Sequence, residues 1–284
     1  MKRAFDELCR HRSVIVAEIP SLRNAYTEDK RYKQFIASTF KLLSLWAVMH
    51  VFYTPHIDRS HELPEEEARH CLRVLRLEPG DEIMLTDGRG SFYRAEIALS
   101  TGKKCSFNVL ETLPQPPLHP CRLHLALAPT KNMDRMEWLA EKATELGIDE
   151  LSFLDCRHSE RRQLKLERIE KIVVSAVKQS LKARVPVLNE MTDFKQFVKH
   201  PFSGQKFIAH CHEGTKPLLQ HALLPGQDAL VLIGPEGDFS AEEVALATDH
   251  GFQAVSLGAS RLRTETAALA AGHILCLFNQ SPVQ

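Results

Sequence analysis

The 284-residue sequence has no net charge, because 36 Lys and Arg are matched by 36 Asp and Glu. Bulk electrostatic attraction to nucleic acid or to an anionic membrane therefore cannot carry its activity. Long hydrophobic runs are also missing. Leu42 to Val48 is apolar, but it is too short to cross a bilayer and follows Lys41. It also lies too far into the chain for a secretory signal. The seven cysteines include no C-x-x-C pair, and their number is odd. Reduced thiols and a cytoplasmic location are expected rather than a disulfide framework. No G-x-G-x-x-G follows a strand-like run, and G-x-x-x-x-G-K-[ST] and G-x-S-x-G do not occur. A dinucleotide-binding Rossmann fold, a P-loop NTPase and an α/β-hydrolase are thereby excluded. His210-Cys211-His212 is the nearest approach to a metal cluster. If Lys206 to Cys211 forms a strand, neighbouring side chains point to opposite faces, so no metal site is expected there.

What the chain does have is a pair of glycine-broken junctions near its C-terminus. Ala229 to Ile233 is apolar without alternation, as in a strand buried on both faces. Gly234-Pro235-Glu236-Gly237 then forces a turn whose glycines let a ligand approach the main chain. Ser240 and Glu243 have the spacing of a capping box at the start of the next helix. The second junction repeats the plan. Ala254 to Leu257 reads as a strand, Gly258 breaks it, and Thr264 is placed to cap a helix from Glu265 to Phe278. Two such junctions side by side would form a pocket for a nucleotide-like cofactor. Taken alone, they also fit ordinary strand–loop–helix units.

The chain divides into two domains. Leu113 to Pro120 holds four prolines and reads as a linker. Before it, short strands at Glu82 to Leu85, Ser91 to Ala98 and Cys105 to Glu111 are separated by glycine turns, the composition of a small β-barrel. After it, apolar strands at Arg122 to Ala128, Leu151 to Leu154, Phe207 to Cys211, Ala229 to Ile233 and Ala254 to Leu257 alternate with helices. That alternation predicts an α/β fold with a parallel sheet.

Several motifs give the chain a family resemblance. Ile233-Gly-Pro-Glu-Gly-Asp-Phe239 and Leu257-Gly-Ala-Ser-Arg-Leu-Arg-Thr-Glu-Thr-Ala267 resemble the two signature loops of the SPOUT methyltransferases, and of the RsmE family within them. Asp238 stands where glycine is common in that pattern, and Arg261 where an aliphatic residue is common. Pro129-Thr-Lys131, the following Met133 to Gly147 and Ser159-Glu-Arg161 match further elements. Gln179-Ser180 matches the start of a Q-S-G-R element, but Leu181-Lys182 replaces its Gly-Arg. The resemblance covers roughly residues 49 to 280 and implies the fold. Residues 49–118 would form a PUA-like RNA-binding β-barrel. Residues 121–284 would form a SPOUT α/β trefoil-knot methyltransferase domain, although hydrophobic pattern alone predicts an unknotted sheet. Residues 1–48 have no counterpart, and Met49 is expected to be the initiator; a helical extension is the alternative.

The resemblance also implies S-adenosyl-L-methionine as cofactor, 16S rRNA of the small ribosomal subunit as partner, a homodimer, and methylation of N3 of a specific uridine. Leu232, Ile233, Gly234, Pro235, Glu236, Gly237, Leu257, Gly258, Leu262 and Thr266 are the expected cofactor-binding residues. N3 of uridine must lose a proton before or during methyl transfer, which calls for a base or for stabilisation of the anion. Arg263 at a helix start is expected to stabilise the anion. Glu236 or Glu265 is expected to act as base, and Glu265 reads equally well as a helix-terminal charge. Leu269, Ile274, Leu275, Leu277 and Phe278 could supply apolar surface to a dimer or pack in the core. The alternatives are a SPOUT enzyme with another RNA target, such as a ribose 2′-oxygen, or a non-catalytic ribosome-assembly factor.

Residues 1–48 carry nine basic and five acidic residues, leaving 27 basic against 31 acidic in the rest. RNA must then be held by local patches. Arg69, Arg73 and Arg76 are spaced to share one helix face. A second set, Arg157 to Lys171 with Lys178, Lys182 and Arg184, reads as a phosphate-binding patch or as a solvated face salted with Glu160, Glu167 and Glu170. Lys131, Arg161 and Lys182 complete the expected RNA-binding residues.

Overall fold

The computed structural model describes residues 50–280. The expectations for residues 1–48 and for Met49 lie outside that range. The first sheet has the order β1 (Val51–Tyr53), β2 (Glu82–Thr86), β3 (Ser91–Thr101), β4 (Lys104–Pro114). β1 is parallel to β2, and the other pairs are antiparallel. Alternate residues of these strands, including Ile83, Leu85, Ala95, Ile97, Cys105 and Phe107, face one core. The free edge of β4 is met by the segment after β1, where Leu63 N–H donates to Cys105 O and Phe107 N–H to His61 O. The unit is thus a four-stranded sheet wrapped by a strap. β1 was not expected, since three residues carry too little periodicity to read. Helix α1 (Glu65–Arg69) packs Ala68 into this core and continues as a π turn over His70–Val74.

The second sheet is six-stranded and wholly parallel. Its order is β10 (Gln253–Val255), β8 (Gln205–Ala209), β9 (Ala229–Ile233), β5 (Leu123–Leu127), β6 (Glu150–Asp155), β7 (Val187–Asp193). All five residues of β5 and of β9 are buried, as a strand covered on both faces requires. Leu123, Leu125 and Leu127 face helices α2 (Met133–Leu146), α3 (Leu166–Gln179) and α7 (Thr264–Asn279). Ala126 and Ala128 face the opposite layer, which contains α4 (Phe194–Phe197) and α6 (Ala241–Asp249). A short α5 (Leu219–Ala222) precedes β9. The edge strand β7 escaped the sequence reading because polar Asn189, Glu190 and Thr192 interrupt its apolar residues. The chain leaves β9 and returns at β10 on the far side of β8, so the two glycine-broken junctions are separated by one strand.

The two sheets are tied through backbone. Gly90 N–H donates to Ala183 O at 2.8 Å, and Val185 N–H donates to Gly88 O at 2.9 Å. A side chain on Gly88 would meet Val185 and Tyr53 at under 3 Å, so the hairpin tip can dock only as glycine. Beside it, Lys178 on α3 reaches Glu67 on α1 at 2.6 Å, with both side chains largely buried. Lys178→Met leaves Glu67 without its partner and is expected to destabilise the fold by roughly 2–4 kcal/mol, somewhat less than a fully buried pair. Denaturant midpoints should show the loss, and Glu67→Leu in the same chain should recover most of it.

A second buried group gives a pH signature. His124 on β5 is 5% exposed, and its Nε2 lies 2.8 Å from Ser152 Oγ. Asn189 donates to that hydroxyl and to Glu150, so the Ser152 proton is directed at the imidazole. Burial, opposed by Glu150 and assisted by Arg122, pushes the His124 pKa down to about 4. The unfolded chain, with a value near 6.5, binds this proton more readily than the folded one. Its stabilising contribution is therefore full above about pH 6.5 and is lost as pH falls towards 4, by roughly 3 kcal/mol in all. Urea titrations across that window should show a shallower slope in His124→Gln than in the unaltered protein.

Candidate cofactor cavity and adjoining cleft

The C-terminal ends of β8, β9 and β10 open into one cavity of about 1040 Å³. Its walls are Ile233 to Asp238 after β9, Val255 to Thr264 after β10, and Ala209 to His212 with Gly214 and Lys216 after β8. The mouth of a parallel sheet is where ligands bind in open α/β folds, because strand ends and helix starts present unpaired backbone groups there. Gly258 has φ 121°, a conformation that only glycine adopts without strain, and open space lies where its side chain would be. At Gly234 a Cβ would come within 3.1 Å of Phe239 N.

The walls are stitched together. Thr264 Oγ1 donates to Gly234 O at 3.1 Å, joining the start of α7 to the turn after β9. Thr264 is therefore not the helix cap. Arg263 occupies that position, and Thr264 serves the neighbouring junction instead. The capping box at Ser240 and Glu243 forms as expected, and Glu243 also accepts from Arg157 N. Asp238 has φ 62°, and its carboxylate accepts from Cys211 N at 2.7 Å and from Phe239 N at 2.8 Å. His158 Nδ1–H donates to Asp238 O, and His212 Nε2–H to Phe239 O.

Most of the expected cofactor residues line this cavity: Ile233, Gly234, Pro235, Glu236, Gly237, Leu257, Gly258 and Leu262, together with Arg263. Two do not. Leu232 is fully buried on the other face of β9, since strand alternation turns it away from Ile233. Thr266, exposed in the first turn of α7, faces a neighbouring cleft instead. Residues 209–216 were missed as a wall, because only the strand order reveals that β8 ends between the two junctions. His210, Cys211 and His212 lie beyond the end of β8, so the alternation argument does not apply and all three line the cavity. Both ring nitrogens of His210 are buried there without a hydrogen-bond partner among the described residues, and burial, reinforced by Lys216, lowers its pKa.

The two candidate bases sit in different places. Glu236 is exposed, and its Oε1 accepts from Lys131 N at 3.0 Å, linking the loops after β9 and β5. Glu265 is 6% exposed and lies in a second cleft, of about 590 Å³, between the first turns of α2 and α7. Arg135 and Trp138 line that cleft from α2. Arg261 to Arg263 line both cleft and cavity, so these residues are their common wall.

Few of the basic residues behave as the spacing suggested. Arg69 and Arg73 lie on the helix and its π turn, but Arg76 has left it with φ 55°, so the three do not share one helix face. All three are exposed. Arg69 pairs with Glu65, whereas Arg73 and Arg76 have no carboxylate partner among the described residues. Arg161 clamps the Thr130 and Lys131 carbonyls, so two of its donors are occupied within the protein. Lys182 is half-buried, and that burial lowers its pKa. In the second patch Arg157, Arg162, Arg168, Lys171 and Lys178 pair with Glu242, Asp155, Glu137, Glu66 and Glu67. These partners are other than Glu160, Glu167 and Glu170, which the sequence offered. Lys131 is exposed and pairs with Glu160.

Comparison with known proteins agrees with this architecture. Residues 117–276 match the family model described as RNA methyltransferase domain, and residues 63–110 match the RNA methyltransferase PUA domain. The chain is 30% identical over 240 residues to ribosomal RNA small subunit methyltransferase E of Aquifex aeolicus, covering 81% of this chain and all of the relative. A crystal structure of a probable rRNA-methyltransferase from Porphyromonas gingivalis is similar with TM-score 0.78 and 44% identity, covering 81% of this chain and 98% of that one. The S-adenosylmethionine-bound ribosomal RNA small subunit methyltransferase E of Neisseria gonorrhoeae is similar with TM-score 0.70 and 31% identity, covering 79% and 95%.

The Asp238 clamp generates a test. Asp238→Gly keeps the left-handed backbone but removes both carboxylate bonds, so hydrogen exchange at the Cys211 amide should accelerate at least ~10-fold, about 1.4 kcal/mol of local protection. Asp238→Asn, which retains an acceptor and tolerates φ > 0, should stay closer to the unaltered protein.

Proposed function

This chain belongs to the RsmE family of S-adenosylmethionine-dependent RNA methyltransferases, and from that membership we propose that it methylates N3 of one uridine in 16S rRNA of the small ribosomal subunit. The observation that carries the reading is the cavity at the ends of β8, β9 and β10, whose walls contain both signature loops. Its size and its exposed backbone groups fit S-adenosylmethionine. Ile233 to Gly237 and Leu257 to Leu262 would hold the adenosine through main-chain groups, and His210 would flank the same ligand from the third wall.

Bound there, the cofactor supplies an activated methyl group, and the protein must position the acceptor, exclude water and manage one proton. Arg263, exposed at the start of α7 and lining both cavity and cleft, would stabilise negative charge on the uracil oxygens. Residues 49–118 would form the RNA-binding domain and residues 121–284 the catalytic one. Arg73 and Arg76, free of carboxylate partners among the described residues, are the phosphate contacts best supported by their surroundings. A homodimer is included in the proposal. Leu277 and Phe278 are exposed on α7, whereas Leu275 is fully buried in the core and Leu269 and Ile274 pack partly against it.

The test is direct. The protein is incubated with S-adenosylmethionine and small ribosomal subunits or their RNA, and the digested nucleosides are identified by mass spectrometry. 3-Methyluridine is expected; a 2′-O-methylated nucleoside, or no methylation, would refute the reading. In the same assay Arg263→Ala should lower turnover at saturating cofactor by roughly 100-fold. Unchanged turnover would remove Arg263 from the mechanism.

A further inference from the structure

The cleft beside the cofactor cavity holds a carboxylate whose surroundings are incomplete. Glu265 is 6% exposed, and Arg135 Nε approaches its Oε1 at 3.6 Å. Its other oxygen, Oε2, is buried and receives no hydrogen bond from the described residues. A buried carboxylate oxygen without a donor is costly, and the cost falls when a ligand brings one. The positive groups lining the same cleft are Arg135, Arg261 and Arg263, and Trp138 adds an indole that is 44% exposed.

We propose that this cleft receives the uracil ring of the acceptor nucleotide, with Glu265 recognising and removing the N3 proton. The proposal rests on the uridine reading above and deepens it. The Watson–Crick edge of uracil presents acceptor, donor, acceptor: O4, N3–H and O2. A carboxylate oxygen among guanidiniums presents the complementary order of donor, acceptor, donor. Cytosine carries an acceptor at N3 and would set two unpaired acceptors against each other at Glu265, which a buried site strongly disfavours. Trp138 offers a face on which an unstacked base can lie. Arg261 to Arg263 border both spaces, so a base in the cleft is adjacent to the cofactor.

The step balances without any further reactant. The N3 proton passes to Oε2 of Glu265 while the N3 lone pair forms the new bond to the methyl carbon. The carbon–sulfur bond breaks, its electron pair stays on sulfur, and S-adenosylhomocysteine leaves. Arg135, through the ion pair with Oε1, orients the carboxylate before the base arrives.

Glu265→Gln separates this role from a structural one, because it preserves shape while removing the proton acceptor. S-adenosylmethionine binding measured by calorimetry should be unchanged. Turnover on small-subunit RNA should fall ~100-fold or more, and the acid limb of the kcat–pH profile should disappear. Glu265→Asp should keep that limb at reduced turnover. Unchanged turnover and profile in Glu265→Gln would overturn the assignment while leaving the uridine reading intact. Loss of cofactor binding in both variants would also overturn it, by showing that Glu265 supports the cavity. If the unaltered protein methylates something other than uridine N3, the underlying reading and this proposal fall together.

Discussion

Strand β8 lies between β9 and β10, and the site depends on that placement. Were β9 and β10 neighbours, their glycine-broken ends would close on each other and leave little room for a ligand. The intervening strand holds the junctions one strand width further apart and ends between them, so that residues 209–212 form a third wall. Holding three chain segments at that separation requires bonds across the gap. Thr264 to Gly234 fixes one side, and Asp238 to Cys211 fixes the other. Each bond joins loops that are distant in sequence, so the cavity is defined only once the whole sheet has assembled.

That dependence explains what could be read from the sequence. The junctions themselves were legible, because β9 is uniformly apolar and Ser240 and Glu243 stand at capping-box spacing. The family and its cofactor were legible from the same residues. Long-range placement was not. Nothing local shows that His210 reaches the cavity or that Arg161 is held by the Thr130 and Lys131 carbonyls, whereas strand alternation alone puts Leu232 and Ile233 on opposite faces. The π turn after α1 left no sequence signal either, and it moved Arg76 off the expected helix face.

The electrostatics follow a similar logic. A chain with slightly more acid than base after residue 48 cannot leave many cations free. Those along α3 pair with carboxylates, two of them with Glu66 and Glu67 on α1, and so help to hold the two sheets together. Among the described residues, the cations without carboxylate partners include Arg73 and Arg76 near the first sheet and Arg261 and Arg263 at the cavity. Such a distribution gives only weak bulk attraction for polyanions and concentrates unpaired positive charge at a few guanidiniums.

The two departures from the family's glycine pattern separate what glycine does from where it occurs. Leu181 and Asp238 both replace glycine, and both keep a left-handed backbone, with φ 52° and 62°. The glycine pattern therefore records a required conformation at these two positions rather than a need for a small residue. Asp238 offsets the strain with two hydrogen bonds that leucine cannot make, and aspartate tolerates this conformation better. Leu181 has no such compensation, so it bears a strain cost of about 1 kcal/mol on the loop that docks against Gly88 and Gly90. Gly237 is different, because a Cβ there would meet His158 Cβ at 3.0 Å. Gly258 is different again, since φ 121° lies outside the region that asparagine or aspartate can reach. Of the loop glycines, those that remain are held by space or by angle, and those that were replaced were held by a conformation that another side chain could meet.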